Sequence, residues 1–445
     1  MKRYLFTAAL LLAAAFAAFA QEEKPKQKIS FKPYGFIRNY YAFDTRESVA
    51  LTEDFFYYVP KDIDLNAEGD DLNENPNFKF AAITSRLGLD ITGFSLGKWD
   101  FAAKIEADFF AGLTATSADP VTKSKMTGTA QLRLRQAFVS VGNGTFFFKA
   151  GQAWHPMAAD MPHVLSLNTG APFGPFSRTP LVSAEWNIAK TGLSLTGAAI
   201  WQMQYKSTGP YGSSANYIRN GGYEFYAGLS YKNNGFLMRG GVDILHITPR
   251  LVNEEKLRVN EGLTTWSPFI YAQFIKGDFQ IKAKTIFAQG GEHFNLNGGY
   301  AICDVKEDGI SYEYTPTRNS STWVSFQYAP GKWQFILFGG YVKNFGTMKS
   351  VSVKAESITD EGYGTPLGFY FNENSFSNLN SMWRVTPGIV YNIGKRLAVG
   401  VEYEHTCVQY GDNKTEKMNL TTGLYDRGIH DVTNHRVLGL IKFTF

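Results

Sequence analysis

Cysteine is nearly absent: the 445-residue chain has 2, Cys303 and Cys407, which excludes a disulfide-built scaffold. Charge of one sign is also lacking. The 44 Lys and Arg stand against 40 Asp and Glu, a formal +4, so bulk charge implies no nucleic-acid partner. Apolar runs long enough to span a bilayer are missing outside the extreme N-terminus, which excludes a protein of several transmembrane helices. The 7 histidines show no ligand spacing, and neither a Gly-x-Ser-x-Gly nor a Ser-His-acid context occurs. No catalytic residue, metal or cofactor is therefore expected.

What is abundant is aromatic and small: 36 Phe, 24 Tyr and 43 Gly, far too aromatic for a disordered chain. The first residues form an address. Met1, Lys2 and Arg3 give a basic start, Leu5 to Phe16 an apolar stretch, and Ala18-Phe19-Ala20 a small-x-small cleavage site. Residues 1–20 read as a secretory signal peptide, 21–30 as a short periplasmic extension and 31–445 as one continuous domain.

After Phe31 the pattern alternates with a period of two, the signature of strands with one apolar and one polar face. Phe101, Ala103, Ile105, Ala107 and Phe109 share one face of such a segment, while Lys104, Glu106 and Asp108 share the other. Phe279, Ile281, Ala283 and Phe287 likewise oppose Gln280, Lys282 and Lys284. The spacing predicts sixteen strands, the second over 81–94. Short turn-like gaps such as Gly142-Asn143-Gly144 and Gly277-Asp278 alternate with long polar gaps. All tight turns then lie at one end of the strands and all long loops at the other. Val437, Ile441, Phe443 and Phe445 end the chain on an apolar, aromatic face.

Together these features predict an all-β fold, a transmembrane antiparallel β-barrel in the bacterial outer membrane with short periplasmic turns and long extracellular loops. In hydrocarbon every backbone donor and acceptor needs an internal partner, so a strand-built protein must close on itself. Sixteen strands leave a lumen wide enough to stay aqueous. Tyr34, Trp99, Trp154, Trp186, Trp201, Trp333, Trp383 and Tyr391 suit interfacial belts.

Turning the polar faces inward makes Arg38, Arg86, Arg133, Arg135, Lys104, Glu106, Asp108, Lys282, Lys284 and Arg384 the candidate pore-lining residues. The early arginines either select small anionic solutes or simply pair with Glu106, Asp108 and Asp90 on adjacent strands. The proline-rich gap 155–180, with His155, His163 and Arg178, is the candidate constriction loop. A cover over the mouth or a subunit contact are its other readings. Asp62, Asp64, Asn66, Glu68, Asp70, Asp71 and Glu74 have the every-second-residue spacing of a calcium loop but lack its midway glycine and terminal Glu. Cys303 and Cys407 both fall toward the loop end, where they either pair or stay free.

Ser85-Arg86-Leu87-Gly88, Glu106-Ala107-Asp108-Phe109-Phe110, Leu132-Arg133-Leu134-Arg135-Gln136-Ala137 and Gly151-Gln152-Ala153-Trp154 follow one another in a way that resembles the DcaP-like porins, over about the first third of the mature chain. The opening Tyr34-Gly35-Phe36-Ile37-Arg38-Asn39-Tyr40 is similar to Bacteroidota relatives. The resemblance implies a sixteen-stranded homotrimer passing small, often negatively charged solutes by diffusion, with Arg86, Arg133 and Arg135 in the wall. One departure is that only Gln21 to Ser30 precede the first strand, too few residues for a stable coiled coil. The expected function is an outer-membrane porin. Its partners would be lipid, lipopolysaccharide, anionic solutes and further copies of itself. The alternative is a barrel adhesin or structural surface protein with a closed lumen.

Overall fold

The computed structural model describes residues 28–445 apart from 52–55, 83, 112–129, 204, 206, 211, 213–221, 352–363 and 372–375. The signal-peptide reading of 1–20 lies outside the described residues. Sixteen strands form the wall. They are β1 Ser30–Asp44, β2 Arg86–Leu96, β3 Trp99–Ala111, β4 Ala130–Gly142, β5 Phe146–Trp154, β6 Arg178–Asn187, β7 Leu193–Ile200 and β8 Tyr223–Asn233. The ring continues with β9 Phe236–Ile247, β10 Leu263–Lys276, β11 Phe279–Gln289, β12 Tyr312–Tyr328, β13 Trp333–Thr347, β14 Leu379–Ile393, β15 Leu397–Tyr410 and β16 His430–Thr444. Each strand pairs antiparallel with the next, and β1 pairs antiparallel with β16, so the sheet closes. The one helical element among the described residues is the 3-10 turn Glu292–Phe294. No helix among them is long and apolar enough to cross a membrane.

The alternation in sequence becomes an inside and an outside. Leu87, Ile105, Leu132, Val182, Leu229, Leu337, Val401 and Val437 stand exposed on the outer surface. Their polar neighbours Glu106, Asp108, Lys284, Arg384, Glu402 and Arg436 are buried within. This inversion of the usual soluble pattern is what a hydrocarbon solvent demands of a barrel. At the turn end Trp99 packs on Phe148, Phe146 on Trp186, and Trp333 on Tyr391, a belt of outward aromatics.

The seam is held twice. At the turn end the Gly35 and Phe445 amides donate to each other's carbonyls at 3.2 and 3.1 Å. The Phe445 ring lies over Gly35, where a Cβ would come within 2.6 Å of it. At the loop end Arg436 reaches Asp44 through Nε and Nη2 at 2.8 and 3.0 Å, both side chains fully buried. Asn434 and Lys79 complete the cluster around Asp44.

Three expectations need correction. The second strand starts at Arg86 rather than at residue 81, because Asn77–Ala81 is a separate short strand on the outer half of β1, while β2 takes its inner half. Ile83, placed in that strand by alternation, lies outside the described residues. Tyr34 is not in the belt: with Phe36, Arg38 and Tyr40 it shares the inward parity of β1, and its hydroxyl donates to Glu106 at 3.0 Å. Trp154 contacts the guanidinium groups of Arg135 and Arg178, so it too belongs to the inner network. Cys303, in the loop strand Gly299–Val305, and Cys407, in β15, are buried free thiols.

The Asp44–Arg436 pair yields a stability test. Removing one partner of a buried ion pair costs about 3–5 kcal/mol, whereas replacing both with apolar groups is often neutral. Arg436→Met should therefore lower the urea midpoint for unfolding in detergent clearly, and adding Asp44→Leu should recover much of the loss.

Candidate functional site

The gap between β5 and β6 does not extend away from the barrel but runs inside it. Residues 155–177 cross to the far wall and are tied there at nearly every turn. Lys284 Nζ donates to the carbonyls of Met157 and Asp160, each at 2.7 Å, and Lys282 Nζ to that of Met161 at 3.1 Å. Arg239 Nη1 holds both Asp160 oxygens at 2.7 Å. The Leu165 and Ser166 amides donate to the two Glu402 oxygens at 2.5 and 2.8 Å, and Tyr40 donates to the Leu165 carbonyl at 2.8 Å. Arg384 donates to the Ala171 carbonyl at 3.2 Å and lies over the Phe173 ring. His163 reaches deepest, with Nε2 2.6 Å from Gln280 near the turn end of β11.

Apolar contacts lock the same path. Phe173 packs on Phe338 and sits against Gly340, where a Cβ would lie 2.3 Å from its ring. Gly174 passes over Trp323 just as closely, with a Cβ there falling 2.6 Å from Nε1. Two glycines thus clear the space that two aromatic rings occupy.

The facing arc, β16 to β4, is built differently. Asp108 accepts two bonds from Arg133, at 2.9 and 3.0 Å, and one from Arg135 Nη1 at 2.5 Å. Arg135 Nε also donates to Glu106 at 2.9 Å, and Arg86 Nη1 stands 3.6 Å from Glu106. Lys104 pairs with Asp90 at 2.7 Å, nearer the turn end. Arg38, Arg86 and Lys442 gather round one ring, that of Phe36, at 4.9, 5.1 and 5.2 Å from its centroid. Arg38 and Lys442 are directly opposed across the seam.

The sequence-derived candidates therefore divide. Arg38, Arg86, Arg133, Arg135, Lys104, Glu106 and Asp108 come together on one arc. Lys282, Lys284 and Arg384 lie opposite, their charged groups turned to loop carbonyls. Arg178 is not in the loop but opens β6, opposite Trp154 in the ladder and stacked on it. Lys442, Tyr34 and Asp160 escaped the candidate list. The polar parity of the last strand and of β1 carried the signal for the first two. The acidic stretch scatters: Asp62 turns to His430 and Asn378, Asp64 to Lys414, and Asp71 to Arg46.

The sequence matches the model of the Gram-negative porins over residues 7–409. The chain belongs to that family. Its fold is similar to the outer-membrane channel DcaP of Acinetobacter baumannii, with a TM-score of 0.61 at 16% identity, covering 94% of this chain and 97% of that one. It is also similar to the trimer form of OmpT, an outer membrane protein of Vibrio cholerae, with a TM-score of 0.50 at 11% identity, covering 94% and 99%. No curated protein matches the sequence. As a porin the chain resides in the outer membrane and forms a passive diffusion channel; the tight turns face the periplasm and the long loops the exterior.

Two outcomes follow for this porin. Gly340→Leu should evict Phe173 and loosen the inward loop while the barrel still forms, giving larger and noisier single-channel currents; an unchanged trace would contradict the packing account. His163 is driven down to about 4, by burial first and by the charge of Lys282 second. Its ordinary value is about 6.5, so the docked loop keeps its full stability above roughly pH 6.5 and loses it as pH falls toward the folded value. Current noise should rise over that window, and His163→Gln should remove this part of the pH dependence.

Proposed function

We propose that this porin passes small hydrophilic solutes with a preference for anions, through a lumen narrowed by residues 155–177, and that it works as a homotrimer. One observation carries the anion preference: the luminal arc is layered. The carboxylates of Glu106 and Asp108 lie beneath, their side chains 5% and 1% exposed, while Arg86 and Arg133 above them keep 22% and 33%. Water in the passage therefore meets guanidinium groups and not the acids that neutralise part of their charge. Arg38, Arg86, Arg133, Arg135 and Lys442 outnumber the two carboxylates, leaving a local positive excess that attracts anions and repels cations. A guanidinium fork also matches a carboxylate or phosphate group in shape.

The inward loop supports a constriction role because it occupies the lumen and spends the opposite wall's charges on itself. Residues 1–20 serve as the secretion signal and 21–30 as a short periplasmic lead into β1. The trimer form of the Vibrio cholerae neighbour supports a threefold assembly. The remaining apolar wall meets lipid and lipopolysaccharide. Transport needs no cofactor and makes or breaks no bond.

Under a salt gradient in a planar bilayer the wild-type channel should give an anion-selective reversal potential. Arg86→Gln with Lys442→Gln should move that potential toward the cation side. A cation-selective wild type would refute the preference, and an unmoved potential in the variant would remove these two residues from it.

A further inference from the structure

Where the inward loop leaves β5, four side chains from four elements converge behind it. His155 opens the loop, Glu224 lies on β8, Asp243 on β9, and His293 on the 3-10 turn between β11 and β12. His155 Nε2 is 2.9 Å from Glu224 Oε1 and 3.5 Å from Asp243 Oδ1. His293 Nε2 is 3.1 Å from Asp243 Oδ2 and 3.9 Å from Glu224 Oε1. None of the four side chains is more than 1% exposed.

Two carboxylates buried this close need a positive charge between them. Among the described residues neither pairs with a lysine or arginine. Asp243 Oδ1 and His293 Nδ1 have no hydrogen-bond partner. Gln202 Nε2 donates to Glu224 Oε2 at 2.8 Å, which turns Oε1 toward the imidazoles as a second-layer group around a metal would.

We propose that His155, Glu224 and Asp243 bind one divalent transition-metal ion, zinc by the chemistry of the donors, with His293 closing in as the fourth ligand, and that this ion pins the inward loop and the 3-10 turn Glu292–Phe294 to the barrel wall. A tetrahedral zinc with bonds of about 2.0–2.1 Å spaces its donors about 3.3 Å apart. His155 Nε2, 2.9 Å from Glu224 Oε1 and 3.5 Å from Asp243 Oδ1, stands on either side of that value, and His293 Nε2 approaches from the other Asp243 oxygen at 3.1 Å. Two imidazole nitrogens favour zinc over calcium or magnesium, which take oxygen donors. Loading has a local cost. The Met157 amide donates to His155 Nδ1 at 3.1 Å, which places the imidazole proton on Nε2. A metal on Nε2 moves that proton to Nδ1 and turns the Met157 amide aside, so the first turn of the inward loop shifts when the ion binds.

The full-length porin, stripped with a chelator in urea and refolded into detergent with zinc or with magnesium, tests this directly. Metal is counted by mass spectrometry after gel filtration, and the donor set read by X-ray absorption. The expected result is about one zinc per chain with two imidazole ligands, no magnesium, and loss of most of the zinc in the near-isosteric Glu224→Gln/Asp243→Asn variant. Heat-modifiable gel migration reports whether that variant forms its barrel. Wild-type protein with less than about a tenth of an equivalent of zinc would overturn the proposal, as would equal zinc in a folded double variant. Should the variant fail to fold, the wild-type spectrum decides, an oxygen-only shell overturning the proposal.

Discussion

Closure of the backbone ladder is the constraint from which the rest of this structure descends. In hydrocarbon an unpaired N–H or C=O costs several kcal/mol, so the first and last strands must find each other across the whole chain. The β1–β16 ladder does so from Phe36 opposite Thr444 to Asp44 opposite Arg436. Its ends are secured by different means suited to their surroundings. At the turn end an aromatic terminus lies over a glycine; at the loop end a carboxylate and a guanidinium are buried together.

A ring of sixteen strands is too wide for its own side chains to fill. The inward loop answers that geometry, and it divides the wall into two arcs with different tasks. From β9 to β15 inward charges hold the loop: Arg239 takes the Asp160 carboxylate, while Lys282, Lys284, Arg384 and Glu402 pair with loop backbone groups that would otherwise go unsatisfied in a confined space. On the arc from β16 to β4 the loop meets the Tyr40 hydroxyl, Arg135 and Arg436 are buried against carboxylates, and Arg86 and Arg133 keep 22% and 33% exposure above Glu106 and Asp108. Selectivity and loop anchoring thus draw on the same residue types at different places in the ring.

Much of this was legible in the residues. Alternation at Phe101 to Phe109 and the short gaps at 142–144 and 277–278 mark strands and their common turn end because each is a local property. Parity also placed Arg38, Arg86 and Arg133 inward. What escaped is what depends on distant partners. Tyr34 was assigned to a belt by residue type, although the parity of Arg38 already turned it inward. Whether Lys282, Lys284 and Arg384 meet solute or loop depends on contacts across more than a hundred residues, such as Lys284 with Met157. Glu402 meets Leu165 at a separation of 237, which no local pattern encodes. The His155 cluster escaped for the same reason, since its members are spread over the chain with no spacing to betray them.

Liposome swelling with solutes of matched size and different charge tests the account most directly. Vesicles carrying the purified porin should admit a small monocarboxylate faster than a neutral sugar alcohol of similar dimensions, and that faster than an amine cation. Equal rates for all three, or faster entry of the cation, would contradict a passage lined by exposed guanidinium groups.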